Sequence, residues 1–340
     1  MRQLGVIEKV LGVGSSRVIV ILFVFIGSYC NAQTMVSSKV AVGEEITFLA
    51  GDGARLSGSL LLPKSDGPHP AVVVVIGSGS DSYRRYWDPE RDSLDFPFFR
   101  EISRIFLDHG FAVLFMEKRG INKSEGSWRK NSLSGRAEDV FYAILYLKTR
   151  QEISPERIGI CGHSQGGWVA QTAGARYSDD VSFIVNLCGA VSTPKQQEVD
   201  NLIQKQRCAG KSERALRRQS GWKKIGLSMF GVISRLIKIN HFSYVINDYK
   251  PEKVLPYIKC PFLAIYGETD DLVPIEPNKA ILVSQFARSD KTNYELVTMD
   301  QATHGLFRAP HCCKWSEVRD RNLVPEFEPT LSDWLKKLYL

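Results

Sequence analysis

The stretch RIGICGHSQGGWVAQTAGARY (157–177) holds a serine between two glycines, at the spacing Gly162-x-Ser164-x-Gly166. The residues before the serine read as a short buried strand, and those after it read as a helix. A strand-to-helix turn of this kind projects its serine from the edge of a sheet, and it needs small flanking residues, which the glycines provide. The pattern therefore favours a nucleophilic Ser164 over an ordinary glycine-rich turn.

The rest of the chain alternates strands and helices around this turn. EEITFLAGDGARLSGSLLLP (44–63) predicts a hairpin of two strands, and further buried strands are predicted in the segments 71–76, 111–120, 181–190, 260–270 and 294–299. Such alternation predicts an α/β fold, with a mostly parallel sheet and helices on both faces. The alternation stops after Gly189, so residues 191 to about 257 are predicted to be a helical cap insertion over the C-terminal edge of the sheet.

The N-terminus has the pattern of a secretory signal. Basic residues precede nine apolar residues, Val18–Ile26, and small residues stand at the −3 and −1 positions before Gln33. Nine residues are too few to cross a bilayer of about 30 Å as a helix. We therefore expect 1–32 to be removed, 33–340 to form the folded domain, and the protein to be periplasmic or secreted. The alternative is an uncleaved segment that anchors the chain to a membrane.

Six cysteines follow the predicted signal, an even number that suits an oxidising compartment. Three of them stand in or beside apolar strand-like runs, where cysteine behaves as a small hydrophobic residue: Cys161, Cys188 and Cys260. The candidate disulfide joins Cys208 to either Cys312 or Cys313. The cysteine spacings do not match a zinc site, and we expect neither a metal nor a cofactor.

A serine hydroxyl becomes a nucleophile only when a base takes its proton and an acid orients that base. His304, in DQATHGLF, follows the last predicted strand on a loop that returns to the C-terminal edge of the sheet, so it is the predicted base. YGETDDLVP follows another buried strand and offers three carboxylates for the acid: Glu268, Asp270 and Asp271.

The tetrahedral intermediate also needs an oxyanion hole, which consists of backbone N–H donors. One predicted donor is Gln165, directly after the nucleophile. The second is predicted in the loop IGSGS (76–80), which follows the first core strand, with Ser78 as the donor residue. The helix that begins after Ser164 also directs the positive end of its dipole towards this point.

Four segments together resemble the α/β-hydrolase superfamily: PAVVVVIGSGSDSYRR, FREISRIFLDHGFAVLFMEKRGINKSEGS, EDVFYAILYLKTRQEISPERIGICGHSQGG and YGETDDLVP. The resemblance is greatest to bacterial carboxylesterases with a dienelactone-hydrolase-like or prolyl-oligopeptidase-like catalytic domain, and it covers most of 44–190 and 255–310. It implies the chain order serine, acid, histidine, and it favours Asp270, which fits Gly-x-x-Asp-x-x-Val-Pro. One departure is that Ile76-Gly77 replaces the usual His-Gly of the oxyanion loop.

These features predict a serine hydrolase that cleaves a small-molecule carboxylic ester through an acyl-enzyme. The alternatives are a peptidase, an amidase or an acyltransferase with the same triad, and a non-catalytic binding protein with this fold. Eleven Lys or Arg residues between 195 and 238, against three acidic residues, favour a solvated cap face, or else a weak contact with a lipid or an anionic membrane surface. No nucleic-acid-binding motif accompanies this charge.

Overall fold

The structure is a computed structural model that describes residues 43–86, 98–212, 246–312 and 322–339, together with positions 214, 216 and 318. All of these residues belong to one compact unit, Ser37–Leu340. The predicted signal segment, 1–32, lies outside the described residues. So does much of the predicted cap, so its boundaries at 191 and 257 stay a prediction.

The described chain forms an eight-stranded sheet in the order β1-β2-β4-β3-β5-β6-β7-β8. The first two strands form the predicted hairpin, and β2 pairs antiparallel with β4, whereas all later pairs are parallel. The strands are β1 Glu44–Leu49, β2 Arg55–Leu61, β3 His69–Val75, β4 Ala112–Met116, β5 Ile153–His163, β6 Ile184–Leu187, β7 Phe262–Gly267 and β8 Tyr294–Met299.

Helices connect the strands and cover both faces of the sheet. They are α1 Phe98–Asp108, α2 Leu133–Lys148, α3 Gln165–Arg176, α4 Pro194–Cys208, α5 Pro251–Val254, α6 Ile275–Arg288 and α7 Phe327–Lys337. Short 3-10 turns lie at Tyr83–Tyr86, Trp128–Lys130 and Leu255–Tyr257. The helix α6 was missed from the sequence. None of the helices in these described ranges combines the length and the apolar character needed to cross a membrane.

The central strand β3 shows why its run of valines is apolar throughout. Ala71, Val73 and Val75 pack into a core with α2 and α3, while Val72 and Val74 pack into a second core with α1 and α7. Because successive side chains of a strand point to opposite faces, a strand covered on both faces must be apolar at every position. This mostly parallel sheet between two helical layers confirms the predicted fold class.

The parallel strands β3 to β8 all end at the same edge of the sheet. The chain leaves β3 towards β4 on one side, and β5 then pairs with β3 on its other side. Parallel α/β sheets bind ligands in the crevice outside the carboxyl ends of their strands, where the strand order reverses. The loops after β3, β5, β6, β7 and β8 meet at this edge, and they carry the residues of the candidate site.

Candidate active site

Ser164 lies between β5 and α3, in the turn that the sequence predicts. Its backbone has φ 57° and ψ −123°, a conformation that non-glycine residues rarely adopt. The Ser164 N–H donates to the Leu187 carbonyl at the end of β6, and the Ser164 carbonyl accepts from the Gly167 N–H. Backbone strain of this kind costs about 1–3 kcal/mol, and it persists only where the surrounding structure fixes it.

The two glycines around the serine are needed because backbone approaches them closely. A Cβ at Gly162 would lie 2.3 Å from the Gly166 carbonyl oxygen, and a Cβ at Gly166 would lie 2.1 Å from the Val75 carbonyl oxygen. Both distances are far inside van der Waals contact, and backbone cannot swing away as a side chain does. The Gly-x-Ser-x-Gly spacing thus lets β3, β5 and α3 pack close to the turn.

His304 and Asp270 form a hydrogen-bonded pair at the same edge. His304 Nδ1 lies 2.8 Å from Asp270 Oδ2, and both side chains are almost fully buried. The other carboxylate oxygen of Asp270 accepts the N–H groups of Leu272 and Val273, each at 2.8 Å. Burial alone would lower the pKa of His304, but the charge and hydrogen bond of Asp270 outweigh it and raise that pKa.

The other two acidic candidates occupy different positions. The Glu268 carboxylate accepts the backbone N–H of Gln301, so it contacts the loop that leads to His304 rather than the imidazole. Asp271, next to Asp270, is buried. This burial, together with the charge of Asp270, raises the pKa of Asp271. Of the three carboxylates after β7, only Asp270 is hydrogen-bonded to His304 in the described part of the chain.

His163 and Cys188 are partners of this pair that the sequence analysis did not identify. His163 Nε2 lies 3.1 Å from the His304 carbonyl oxygen, and its ring centroid is 5.0 Å from that of His304. Burial and the neighbouring His304 lower the pKa of His163 to about 3, so the ring is neutral, and its Nε2–H donates to the carbonyl. His163 therefore holds the backbone of the predicted base.

Cys188, treated from the sequence as a small hydrophobic residue, follows β6 with φ 45° and hydrogen-bonds to Asp270. Its sulfur, an Asp270 oxygen and a His304 nitrogen all lie within 4.8 Å of one another. Metal ligands must be deprotonated, but burial and the charge of Asp270 raise the pKa of the Cys188 thiol well above its ordinary value. The three groups fit a hydrogen-bonded network better than a metal site.

The two predicted oxyanion donors have available N–H groups. Neither the Ser78 N–H nor the Gln165 N–H donates a hydrogen bond to any residue that the structure describes. Gly77 lies against the nucleophile, since a Cβ there would be 3.1 Å from Ser164 Cβ and 3.4 Å from Ser164 Oγ. The loop after β3 and the first residue of α3 thus flank Ser164 as an oxyanion hole requires.

One contact of a complete triad is not formed. Within the described residues the Ser164 hydroxyl makes no side-chain hydrogen bond, either to His304 or to its own helix. In ligand-free enzymes the bond between nucleophile and base is often long or misaligned, and it shortens when substrate binds. The roles of Ser164, Asp270, His304, Gln165 and Ser78 therefore stay predictions, supported by their common location.

The fold and this edge of the sheet define the class of protein: the chain is an α/β hydrolase. The family described as BAAT / acyl-CoA thioester hydrolase C terminal matches residues 141–319, which is more than half of the chain, so the chain belongs to that family. The X-Pro dipeptidyl-peptidase (S15) family matches residues 52–212. The predicted superfamily is confirmed.

Individual relatives are distant. The chain is 24% identical over 251 residues to the esterase EstD of Thermotoga maritima, covering 73% of this chain and 57% of EstD. It is 28% identical over 156 residues to the thiohydrolase aneE of Aspergillus aculeatus, covering 46% of this chain and 44% of aneE. This chain spans less than two thirds of the length of these curated relatives.

Solved structures share the fold. The Pyrococcus furiosus esterase Pf2001 superposes with a TM-score of 0.59 at 20% identity, covering 89% of this chain and 96% of that chain. Est1E of Butyrivibrio proteoclasticus, solved with ferulic acid, gives 0.53 at 16% identity, covering 86% and 98% of the two chains. At these identities the likeness establishes the fold alone.

Proposed function

We propose that this protein is a serine hydrolase that cleaves a small-molecule carboxylic ester through an acyl-enzyme. The observation that carries the proposal is the buried His304–Asp270 pair at the same sheet edge as the strained Ser164. Strain at a serine between two close-packed glycines has no evident structural benefit, whereas a nucleophile needs to be projected from the turn. Family membership and the esterase and thiohydrolase relatives support the same reaction.

In the acylation step the Ser164 oxygen attacks the carbonyl carbon of the ester, and its proton passes to His304 Nε2. Asp270 keeps the Nδ1 proton of His304 in place, so Nε2 is free to accept. The carbonyl oxygen becomes an oxyanion, which accepts from the N–H groups of Gln165 and Ser78. The intermediate then collapses, the bond to the alcohol oxygen breaks, and that oxygen leaves with the proton from His304.

In the deacylation step a water molecule replaces the alcohol. His304 takes a proton from the water, whose oxygen attacks the acyl carbon, and the same donors hold the second oxyanion. Collapse breaks the bond to Ser164, which regains its proton from His304, and the carboxylic acid leaves. Every proton transfer in this cycle runs between Ser164, His304, the leaving alcohol and water.

The direct test is hydrolysis of p-nitrophenyl butyrate, together with labelling by a fluorophosphonate probe. We expect Ser164→Ala to lose both. Ser192→Ala, at a buried serine whose hydroxyl donates to the Gln197 side chain in α4, should keep both. Wild-type rates in Ser164→Ala would show that the proposed nucleophile is wrong.

A thioester is the second candidate substrate, and the family match and the thiohydrolase relatives favour it. A thiolate leaves more readily than an alkoxide, because thiols ionise near pH 8.5, so a thioester depends less on proton donation by His304. Butyryl-CoA and p-nitrophenyl butyrate should be compared at equal concentration, with an aminoacyl p-nitroanilide as the probe for the peptidase alternative. The substrate with the highest kcat/KM identifies the reaction.

We also propose that the protein is exported. The disulfide between Cys208 and Cys312, one of the two pairings predicted, supports an oxidising compartment. N-terminal sequencing of the protein expressed in a bacterial host should give Gln33 as the first residue, whereas a start at Met1 would favour the anchored alternative. The proposed lipid contact of the basic cap is tested by cosedimentation with phosphatidylglycerol vesicles, with phosphatidylcholine vesicles as the control.

A further inference from the structure

Two buried cations contact the loop that carries the predicted oxyanion donor. Lys118, just after β4, places Nζ 3.0 Å from the Gly77 carbonyl oxygen and 2.7 Å from the Gly79 carbonyl oxygen. Arg136, in α2, donates to the Ile76 carbonyl at 2.9 Å and to the side-chain oxygen of Gln165. The carbonyl groups of Ile76, Gly77 and Gly79 therefore all accept hydrogen bonds from buried cations.

Both cations are buried, and burial disfavours the charged form of each side chain. Lys118 is 8% exposed and Arg136 is 7% exposed. Burial, followed by the charge of Arg136, lowers the pKa of Lys118 to about 7, and burial lowers the pKa of Arg136 to about 10. Burying a charge opposes folding unless its new partners compensate, and here the partners are mainly backbone oxygens.

The hydrogen bonds from Lys118 and Arg136 determine which backbone groups of the loop after β3 can bind a substrate. In a planar trans peptide the N–H points away from the carbonyl of the same peptide unit. When Lys118 holds the Gly77 carbonyl, the N–H of Ser78 is turned away from Lys118. The carbonyl oxygens, which would repel an oxyanion, are tied to cations, and the N–H groups are left for the side of the loop where Gly77 contacts Ser164.

Arg136 links the two halves of the predicted oxyanion hole. Its guanidinium reaches Ile76, which precedes the loop donor, and Gln165, which supplies the other donor. A planar guanidinium with several fixed donors holds two acceptors at a defined separation. The spacing between the loop after β3 and the start of α3 is therefore set by one rigid group.

We propose that Lys118 and Arg136 are positioning residues that hold the loop after β3 with its N–H groups directed at the oxyanion formed at Ser164. This inference rests on the proposed acyl transfer at Ser164. Neither cation touches the reacting atoms, since both act through the backbone of the loop and through Gln165.

The test compares Lys118→Met, which keeps the aliphatic stem but removes the donors, with Lys279→Met, an exposed lysine of α6. For p-nitrophenyl butyrate we expect kcat of Lys118→Met to fall by up to about 10²-fold, the lower range for loss of an oxyanion donor, with KM changed little. The affinity for a trifluoromethyl ketone, whose adduct with Ser164 carries the oxyanion, should fall in parallel. A folded Lys118→Met with wild-type kcat and ketone affinity would overturn the proposal.

A second measurement applies even if Lys118→Met does not fold. The charged groups that face Lys118 are Arg136, which disfavours its charge, and Asp81 and Glu117, which favour it. As the pH rises through about 7, Lys118 loses its charge, so wild-type kcat should decrease to a lower plateau, whereas Lys118→Arg stays charged and should lack this decrease. The same decrease in both proteins would contradict the role of Lys118.

The hydrolase activity and the positioning role can be refuted separately. Activity retained in Ser164→Ala would refute the proposed function itself. Activity abolished in Ser164→Ala but unaffected in Lys118→Met and Arg136→Lys would leave the hydrolase and refute only the positioning role. Thermal melts of each variant, compared with Lys279→Met, separate a loss of stability from a loss of rate.

Discussion

Replacing Asp270 with asparagine tests the orientation of His304 without removing the structure around it. In the wild type one Asp270 oxygen accepts two backbone N–H groups, and the other accepts the Nδ1 proton of His304. In Asp270→Asn the amide oxygen can keep the backbone bonds, but the amide NH₂ then faces Nδ1. The imidazole must move its proton to Nε2 to accept from this group, and Nε2 can no longer take the proton of Ser164.

The expected loss in kcat for p-nitrophenyl butyrate is on the order of 10⁴-fold, as for the same change in a Ser-His-Asp triad, or about 5 kcal/mol of barrier. Because the two backbone hydrogen bonds remain, we expect the free energy of unfolding to change by only about 1 kcal/mol, which shifts Tm by roughly 2–4 °C. The loss of rate and the loss of stability should therefore differ greatly in size.

The matched control is Asp271→Asn, which removes the neighbouring charge but no hydrogen bond to His304. Its effect on kcat/KM should stay below about tenfold, or about 1.4 kcal/mol, since Asp271 affects His304 through its charge and does not orient the imidazole. Steady-state kinetics and a thermal melt of both variants decide the matter. An Asp270→Asn enzyme within tenfold of wild type, or a larger loss in Asp271→Asn, would refute the assignment of the acid.

Three further predictions concern the same edge of the sheet. The pKa of His304 is raised from 6.5, and this base must be neutral to accept a proton. As the pH is lowered, kcat/KM should therefore begin to fall at a pH above 6.5. A pH–rate profile in which the fall begins only below pH 6.5 would contradict this. Gly166→Ala should be destabilised by about 3 kcal/mol or more, because its Cβ meets the Val75 carbonyl, whereas Gly53→Ala, in open space, should lose only about 1–2 kcal/mol in denaturant titrations. Cys208→Ser should lower the free energy of unfolding by about 2–5 kcal/mol. The wild type should lose the same amount when a reducing agent is added. If neither protein is destabilised, the disulfide is absent.

The sequence predicted those parts of the fold whose signal lies within a few neighbouring residues. The continuous run of valines in β3, the glycines around Ser164 and the hairpin before the core are local patterns, and each lies where it was expected. The helix α6, Ile275–Arg288, was missed although Pro274 is its N-cap, because only Asn278, Leu282 and Phe286 are buried and its apolar pattern is weak. Its absence from the prediction did not affect the site.

The parts of the site that were missed depend on contacts between distant segments. Lys118 follows β4 in EKRG, and in the sequence it reads as an ordinary charged residue at the end of a strand. Only the pairing of β3 with β4 brings it under the loop after β3. Arg136 likewise lies 60 residues from Ile76, and His163 lies 141 residues from His304. No local pattern could have shown these pairs.

Ile76-Gly77 stands where related enzymes have His-Gly, and at Ile76 the side chain and the backbone carbonyl have different roles. The Ile76 side chain is 3% exposed and packs in the core beneath α1, where an apolar residue is favourable. Its carbonyl, which every residue type possesses, is the group that Arg136 binds. If buried cations rather than the side chain at position 76 set the direction of the loop, then Ile76→Val should keep kcat within a few fold while Arg136→Lys should not. Kinetics of these two variants on one ester distinguish control of the loop by Arg136 from control by side-chain packing, since packing alone predicts the larger loss in Ile76→Val.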